Sequence, residues 1–464
     1  MSFLGLDHLM DYDVFPKVVV AGKETEIHIR PQGCRPQFMP GGEYKLVVCA
    51  LDGGTPRDYP KTGDFKEYTV CANAEGGFDI RHAFDKEQEY FLRILDGEGK
   101  KINQFAVYCV EQDLAGRYPF RGDLHIHTCR SDGRQEPNVV CANYRRHGYD
   151  FFAITDHRRY YPSLDAMAFY KDVPIEFTIV PGEEVHLKGV DGMVNDVHIV
   201  NFGGEYSINA LTPDEAVAER GTDPAQRSLN GVCPPSMTKE EYESLMRSLV
   251  AEADLPEDID VFPYVNCKWI FDEIRKANGL GIYAHPNWIA NVFHVSETFN
   301  EYMMETQPFD AFEVLGGENY YEQNGFQTIK YYEDRAKGRR YPIVGSTDSH
   351  NSYATSRNAL ICSTIVFSYE NERRALIDSI KKFYSVAVDS ISAEYRLVGE
   401  SRFVRYGSFL LSEYFPIHDD LCIEEGRLMK QYACGTPEEK EDALRMLSAL
   451  CGRMKKLREK YFAF

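Results

Sequence analysis

Residues 122–133 read GDLHIHTCRSDG, and this stretch decides the fold. It opens as an apolar strand and closes in a polar turn. His125 and His127 are two apart, so on a strand both imidazoles face one side. Asp132 follows behind the turn. Three residues of metal-ligand type within eight positions is a dense local set.

Outward from this stretch, from about 118 to 390, apolar strands alternate with helical patterns, the signature of an α/β domain. Spacing predicts a helix over 136–147. Strands are predicted at FFAITDH (151–157), FTIVPGEEV (177–185), DVHIVNF (196–202), GLGIYAHP (279–286), FDAFEVLGG (309–317), YPIVGSTDSH (341–350), STIVFSY (363–369) and YSVAVDS (384–390). A segment of about 203–266, rich in Pro, Gly and acids, reads as an insertion. Within it, a helix opens at Thr238 with Glu241 at the capping-box position. Another, WIFDEIRKANG, ends at Gly279.

Polar residues interrupt the apolar strands at particular places. His125 and His127 end DLHIH, and Asp156 and His157 end FFAITDH. Glu183 and Glu184 follow FTIVPG, and His198 lies within DVHIV. His285 ends GIYAH, and Asp348 and His350 follow YPIVGS. Six strands thus carry His or carboxylate at or near their C-terminal ends. In a barrel of parallel strands those ends meet on one rim, where active sites sit. A single such histidine is explained by a satisfied polar contact. Six together with several carboxylates point to a metal cluster, because unpaired buried polar groups are costly and imidazole and carboxylate are usual ligands. His186, two residues past Glu184, reads as standing behind the ligands or facing substrate. His8, His28, His82, His147, His294 and His418 read as ordinary positions.

The flanks differ. Residues 1–117 show many short strands separated by turn residues, which predicts an antiparallel β-sandwich. Beyond about 395 the chain turns helical. The segment from Thr436 to Phe464 opens with Thr436, Pro437 and Glu439 and carries an apolar stripe through Leu444, Leu447, Leu450, Cys451, Met454 and Leu457. The expected domains are a sandwich at 1–117, the ligand-bearing barrel at 118–395 and a helical extension at 396–464.

The 464 residues are 43% hydrophobic, enough for real cores. Lys and Arg number 52 against 72 Asp and Glu, a formal charge of −20 that repels long nucleic acid. The twelve cysteines form no C-x-x-C pair, which argues against a zinc knuckle and for reduced thiols. The N-terminus has no apolar leader core, and no stretch approaches the length of a membrane span, so the expected location is the cytoplasm. An oligomer is compatible with the helical tail.

The motifs HIHTCRSDG, ITDH, PGEEV, DVHIV, YAHP and GSTDSH, in this order over about 118–390, resemble the PHP family, named for polymerase and histidinol phosphatase. The resemblance implies a distorted (β/α)7 barrel holding up to three divalent ions, and a His, Asp and Glu donor set accepts Zn, Mn or Fe. Carried over by motif, His125, His127, Glu184 and Asp348 hold the first. Glu184 bridges to the second, completed by His198 and His285, and Asp132, His157 and His350 hold the third. The choice of Glu184 over Glu183 follows the family spacing after Pro-Gly. The implied activity is phosphate-ester hydrolysis. Paired metals lower the pKa of a bridging water and clamp the reacting oxygens.

The substrate expected is a small phosphomonoester. Asp156 reads as a proton relay or as an orienting group for a ligand. Arg130, Arg158 and Arg159 are candidate phosphate contacts, with Arg357 and Lys188 behind them. Tyr160, Tyr161 and Trp288 follow ligands closely and read equally as packing or as stacking on a ring-shaped leaving group. Two other readings compete. One is a phosphodiesterase or nuclease on short nucleotides. The other is a binding or scaffold protein with a structural metal site.

Overall fold

The computed structural model describes residues 9, 11–33, 37–53, 65–213, 224–316, 321–353, 362–390 and 395–464. His8, Arg357 and the 214–223 part of the insertion lie outside them. Contacts group the chain into two units. The first comprises Met1–Tyr118 with Ser401–Leu421 and Gly452–Phe464, and the second Pro119–Glu400 with Cys422–Cys451. The helical C-terminus is therefore divided between them.

In the first unit, strict alternation makes strands. ETEIHIRP buries Thr25, Ile27 and Ile29 on one face and leaves Glu26 and His28 half-buried on the other. Among the described residues eight strands form here: β1 (Tyr12–Phe15), β2 (Val18–Val20), β3 (Glu24–Pro31), β4 (Glu43–Ala50), β5 (Phe65–Cys71), β6 (Phe78–Ala83), β7 (Gln88–Leu95) and β8 (Lys101–Val110). One sheet runs β1–β3–β6 and the other β2–β8–β7–β4–β5. Ile27, Ile29 and Phe78 of the first and Leu46, Leu92 and Val107 of the second share one apolar core. The pairings are antiparallel except that of β2 with β8, which is parallel.

The second unit is mixed α/β. A six-stranded sheet has the order β11–β10–β9–β17–β18–β19, built from β9 (Tyr118–Asp123), β10 (Phe151–Ala153), β11 (Thr178–Val180), β17 (Cys362–Ser368), β18 (Ser385–Asp389) and β19 (Arg396–Val398). A five-stranded sheet runs β12–β13–β14–β15–β16, from β12 (Gly182–Val185), β13 (Ile199–Phe202), β14 (Leu280–Tyr283), β15 (Ala311–Leu315) and β16 (Ile343–Gly345). Isolated bridges Ile126–Ser349 and His157–Glu184 join the two sheets where the ligand-type residues lie. Helices Pro137–Arg146 and Tyr161–Tyr170 pack against the first sheet with Phe152 and Ile154 in their core. Helices Val261–Lys276 and Glu297–Thr306 bury Phe271, Ile274 and Met303 with Tyr283 and Phe312 of the second.

Two expectations change. The strands are not uniformly parallel: β13 runs antiparallel to both β12 and β14. β18 likewise runs antiparallel to β17 and β19. His198 thus precedes its strand, and the reversal of β13 brings its Nδ1 to 2.7 Å from Glu184 Oε1 on β12. The last helix is also broken. Pro437–Leu450 and Arg453–Tyr461 are separate, because Gly452 takes the left-handed conformation (φ 85°) that glycine alone adopts freely. Both anticipated capping boxes form, Thr238 with Glu241 and Thr436 with Glu439. The described cysteines are all free, and among the described residues no helix is long and apolar enough to cross a membrane.

Candidate metal centre

β9 ends at Asp123, two residues short of His125, so the histidine pair lies just past the strand rather than in it. The extended course is kept by cross-links. His127 N–H donates to Ser349 O (2.9 Å), and Asp348 N–H to His125 O (2.9 Å). Ile126 N–H donates to Thr155 Oγ1 (2.9 Å). The alternation therefore survives, and both imidazoles enter the same buried space. The turn after them folds back tightly: Gly133 N–H reaches Thr128 O (2.9 Å), and a Cβ at Gly133 would stand 2.6 Å from the His127 carbonyl. That close approach brings Asp132 round to the cluster.

Glu184 is at the centre and wholly buried. Its Oε2 lies 2.7 Å from His157 Nδ1, 3.4 Å from His127 Nε2 and 3.5 Å from His125 Nε2. Its Oε1 lies 2.7 Å from His198 Nδ1 and 3.4 Å from His186 Nε2. Neither oxygen accepts a properly oriented hydrogen bond. Asp348 Oδ1 is 2.9 Å from His127 Nε2 and 3.3 Å from His125 Nε2, and its Oδ2 is 3.6 Å from His285 Nε2. Beside this group, Asp132 Oδ2 lies 3.3 Å from His350 Nε2 and 3.4 Å from His157 Nε2. The structure thus brings together all nine residues expected as ligands. His127, Asp132, His157 and His350 form one set whose donor atoms could share an ion, and His125, His127 and Glu184 another.

The neighbouring Glu183 is different. It accepts from Ser207 Oγ (2.7 Å), Asn209 Nδ2 (2.9 Å), Asn201 Nδ2 (3.2 Å) and the Ile208 amide (2.5 Å). Its oxygens are spent on the chain that begins the insertion, which leaves Glu184 as the carboxylate facing the imidazoles.

Burial and charge compete in this space. Burial raises the Glu184 carboxyl, but His198, His157, His186 and His125 outweigh it and hold the group well below the usual carboxylate range. Burial lowers His127 to about 4 and His285 to about 3. Burial also acts to lower His157, yet Glu184 and Asp132 lift it to about 10. The fit to a cation is carried by the unbonded atoms. Both Glu184 oxygens, His127 Nδ1 and His285 Nε2 are buried without a hydrogen-bond partner. Uncompensated polar atoms of this kind are costly, and coordination satisfies them. Arg158 (φ 60°), His285 (φ 21°) and Asp348 (φ 52°) also hold left-handed backbone here, strain of the sort that gathers at functional sites.

Asp156 accepts from the Thr128 amide (2.8 Å), Thr128 Oγ1 (2.6 Å) and Ser131 Oγ (2.5 Å). It grips the turn that carries Asp132. The Arg130 guanidinium pairs with Glu136 (2.8 Å), and that of Arg159 donates to the Arg130 carbonyl and to Tyr161 Oη (3.5 Å). Both are engaged by the rim turn. The Arg158 amide donates to Glu184 O (2.9 Å). Tyr160 is buried and bonded to Gly204 O (2.7 Å), a packing position, and Lys188 is exposed. Trp288 packs its ring 5.6 Å from that of His198.

Three further residues adjoin the site: His186, expected behind the ligands, His294, expected at an ordinary position, and Glu313, which no motif singled out. His186 Nε2 lies 2.9 Å from His157 Nδ1 and joins the donors around Glu184. The His294 ring is 4.9 Å from that of His198. Glu313, on β15, places Oε2 3.1 Å from His125 Nδ1. A lone acid inside the apolar run AFEVL was the available signal for Glu313. Nothing in sequence spacing distinguished His294.

No protein-family model matches this chain, and no curated protein matches it. Among solved structures, it is similar to a two-domain protein of Bacteroides vulgatus described as containing a predicted PHP-like metal-dependent phosphoesterase. The identity is 14%, the TM-score 0.35, and the match covers 59% of this chain and 65% of that one. It is also similar to an amidohydrolase of Chromobacterium violaceum, solved with bound sulfate and no metal, at 18% identity and TM-score 0.31, over 51% of this chain and 89% of that one. The chain thus spans about 65% of the length of the first of these. Fold and site together define a mixed α/β protein with buried His, Asp and Glu groups able to hold divalent metal.

Proposed function

We propose that this chain is a metal-dependent phosphoesterase of the PHP type, a distorted (β/α)7 barrel hydrolysing a small phosphomonoester at up to three divalent ions. One observation carries the reading: Glu184, fully buried, has both oxygens unbonded and five imidazole nitrogens around them. His125, His127, Glu184 and Asp348 would hold one ion, Glu184 with His198 and His285 a second, and Asp132, His157 and His350 a third. Bound there, such ions supply the Lewis acidity that activates water and neutralises phosphoryl oxygens.

The chain's own residues do the rest. Glu184 and Asp348 counter the positive charge at the centre. Asp156, through Thr128 and Ser131, sets where Asp132 stands. Arg159, which donates to the Arg130 carbonyl and Tyr161 Oη, brings positive charge to the turn where an anionic substrate enters, whereas Arg130 is countered by Glu136. The formal charge of −20 disfavours a long polyanion.

The test is a panel of phosphomonoesters and phosphodiesters assayed with the full chain after loading with Zn, Mn or Fe. Phosphate release from a monoester, reduced at least about a hundredfold in His127→Ala, is expected. Equal turnover by the wild type and His127→Ala overturns the assignment. Cleavage of diesters alone moves it to a phosphodiesterase.

A further inference from the structure

Glu313 is fully buried in a strand segment, AFEVL, whose other members are apolar. Its Oε2 lies 3.1 Å from Nδ1 of His125. The other nitrogen of that ring, Nε2, faces His127 Nε2 (3.2 Å), Asp348 Oδ1 (3.3 Å) and Glu184 Oε2 (3.5 Å). The imidazole therefore has two distinct sides. A neutral imidazole carries one proton, on either nitrogen. A carboxylate at Nδ1 keeps the proton there and leaves the Nε2 lone pair directed at the cluster.

The strand end that presents Glu313 is itself held with care. A Cβ at Gly316 would stand 1.6 Å from Glu313 Oε1, so only glycine lets the backbone close over the carboxylate. Three buried amide side chains of helix Tyr321–Ala336 bind this turn. Gln327 Nε2 donates to the carbonyls of Glu313 (3.2 Å) and Val314 (3.3 Å). Asn324 Oδ1 accepts from Gly316 N–H (2.9 Å), and Gln323 donates to the Gly316 carbonyl. Apolar packing alone has no use for a carboxylate here, since burying one without a partner is costly.

We infer that Glu313 is a positioning residue of the metal centre: through Nδ1 it fixes the tautomer and ring orientation of His125, so that Nε2 is presented to the ion. The inference rests on the metal-centre reading above. On this inference Glu313 acts through its contact with His125 Nδ1 and not on the substrate.

The experiment is zinc retention by the full chain during titration with a chelator, on wild type, Glu313→Ala, Glu313→Gln, His125→Ala and the double variant Glu313→Ala with His125→Ala, with the melting of each metal-free chain as a check on folding. Glu313→Ala is expected to release zinc at about 10- to 100-fold lower chelator. Glu313→Gln keeps an oxygen acceptor for the Nδ1 proton and is expected to recover most of that loss. In a His125→Ala background, Glu313→Ala should have no further effect, as for two residues acting through one contact. Zinc retention by Glu313→Ala equal to wild type overturns the inference. So does a loss that Glu313→Gln fails to restore, or one that persists undiminished without His125. A wild-type chain that holds no zinc, manganese or iron overturns the metal-centre reading, and this inference with it.

Discussion

At the scale of single residues, Glu183 and Glu184 show how much one strand position decides. Successive side chains on a strand point to opposite faces, so the pair EE announces one carboxylate inward and one outward of the cluster. The sequence alone leaves which is which to the family spacing. Four donors on Glu183 and none on Glu184 separate the two roles physically. Opposite outcomes follow. Glu184→Gln should leave the metal-free chain folded and abolish metal retention at the centre, read by metal analysis after dialysis. Glu183→Ala should leave buried donors unpaired and lower stability by about 2–4 kcal/mol in denaturant titration. A Glu184→Gln chain that keeps full metal content would contradict the assignment. Asp156 belongs to the same scale. Read from its neighbour His157 it was a relay or an orienting group. Its three bonds run to Thr128 and Ser131 in the turn that carries Asp132, contacts that become visible only once the turn is folded.

At the scale of elements, caps and periodic strands were legible because their signals are local. Thr238 and Glu241 are three residues apart and form the box their spacing predicts. Thr238→Ala should cost about 1 kcal/mol. The direction of β13 was not legible, because pairing partners are set by contacts far away in sequence. Gly452 is a case between the two: its identity permits the break, but only the structure shows the chain using it. Gly452→Ala forces a Cβ into the left-handed region and should destabilise by about 1–2 kcal/mol, measurable as a lower denaturation midpoint.

β7 carries a pH-dependent element of its own. Burial, helped by the charge of Glu413, pushes the Glu89 carboxyl up to about 7 from its ordinary 4.5. The folded chain then holds a proton that the unfolded chain has released between these values. Stability from this group is intact below about 4.5, falls as pH rises, and is lost by about 7. Glu89→Gln should remove that slope and stabilise the chain above pH 7 by about 1–2 kcal/mol, the full shift being discounted because the group is only half-buried. Identical pH profiles of urea midpoints for variant and wild type would refute it.

At the scale of the whole molecule, the buried unbonded atoms of the centre predict a stability that depends on metal. Removing divalent ions by chelation should lower the thermal midpoint, and adding them back should restore it. Saturation at a hundred times the dissociation constant corresponds to about 2.7 kcal/mol. Unchanged melting across that range would show that the cluster is not a metal site.

By itself, the sequence determined the presence of an α/β body following a strand-rich segment, the two capping boxes, and the nine residues of ligand type, Glu184 among them, that gather in one cluster. These are properties of period, spacing and residue chemistry, which act over a few positions. Only the tertiary structure decided that β13 reverses and still delivers His198 to Glu184, that Glu183 turns to the insertion, and that His186, His294 and Glu313 adjoin the cluster. Each depends on which distant backbone segment comes alongside, and burial then selects the carboxylates that have partners and those that face the imidazoles without one.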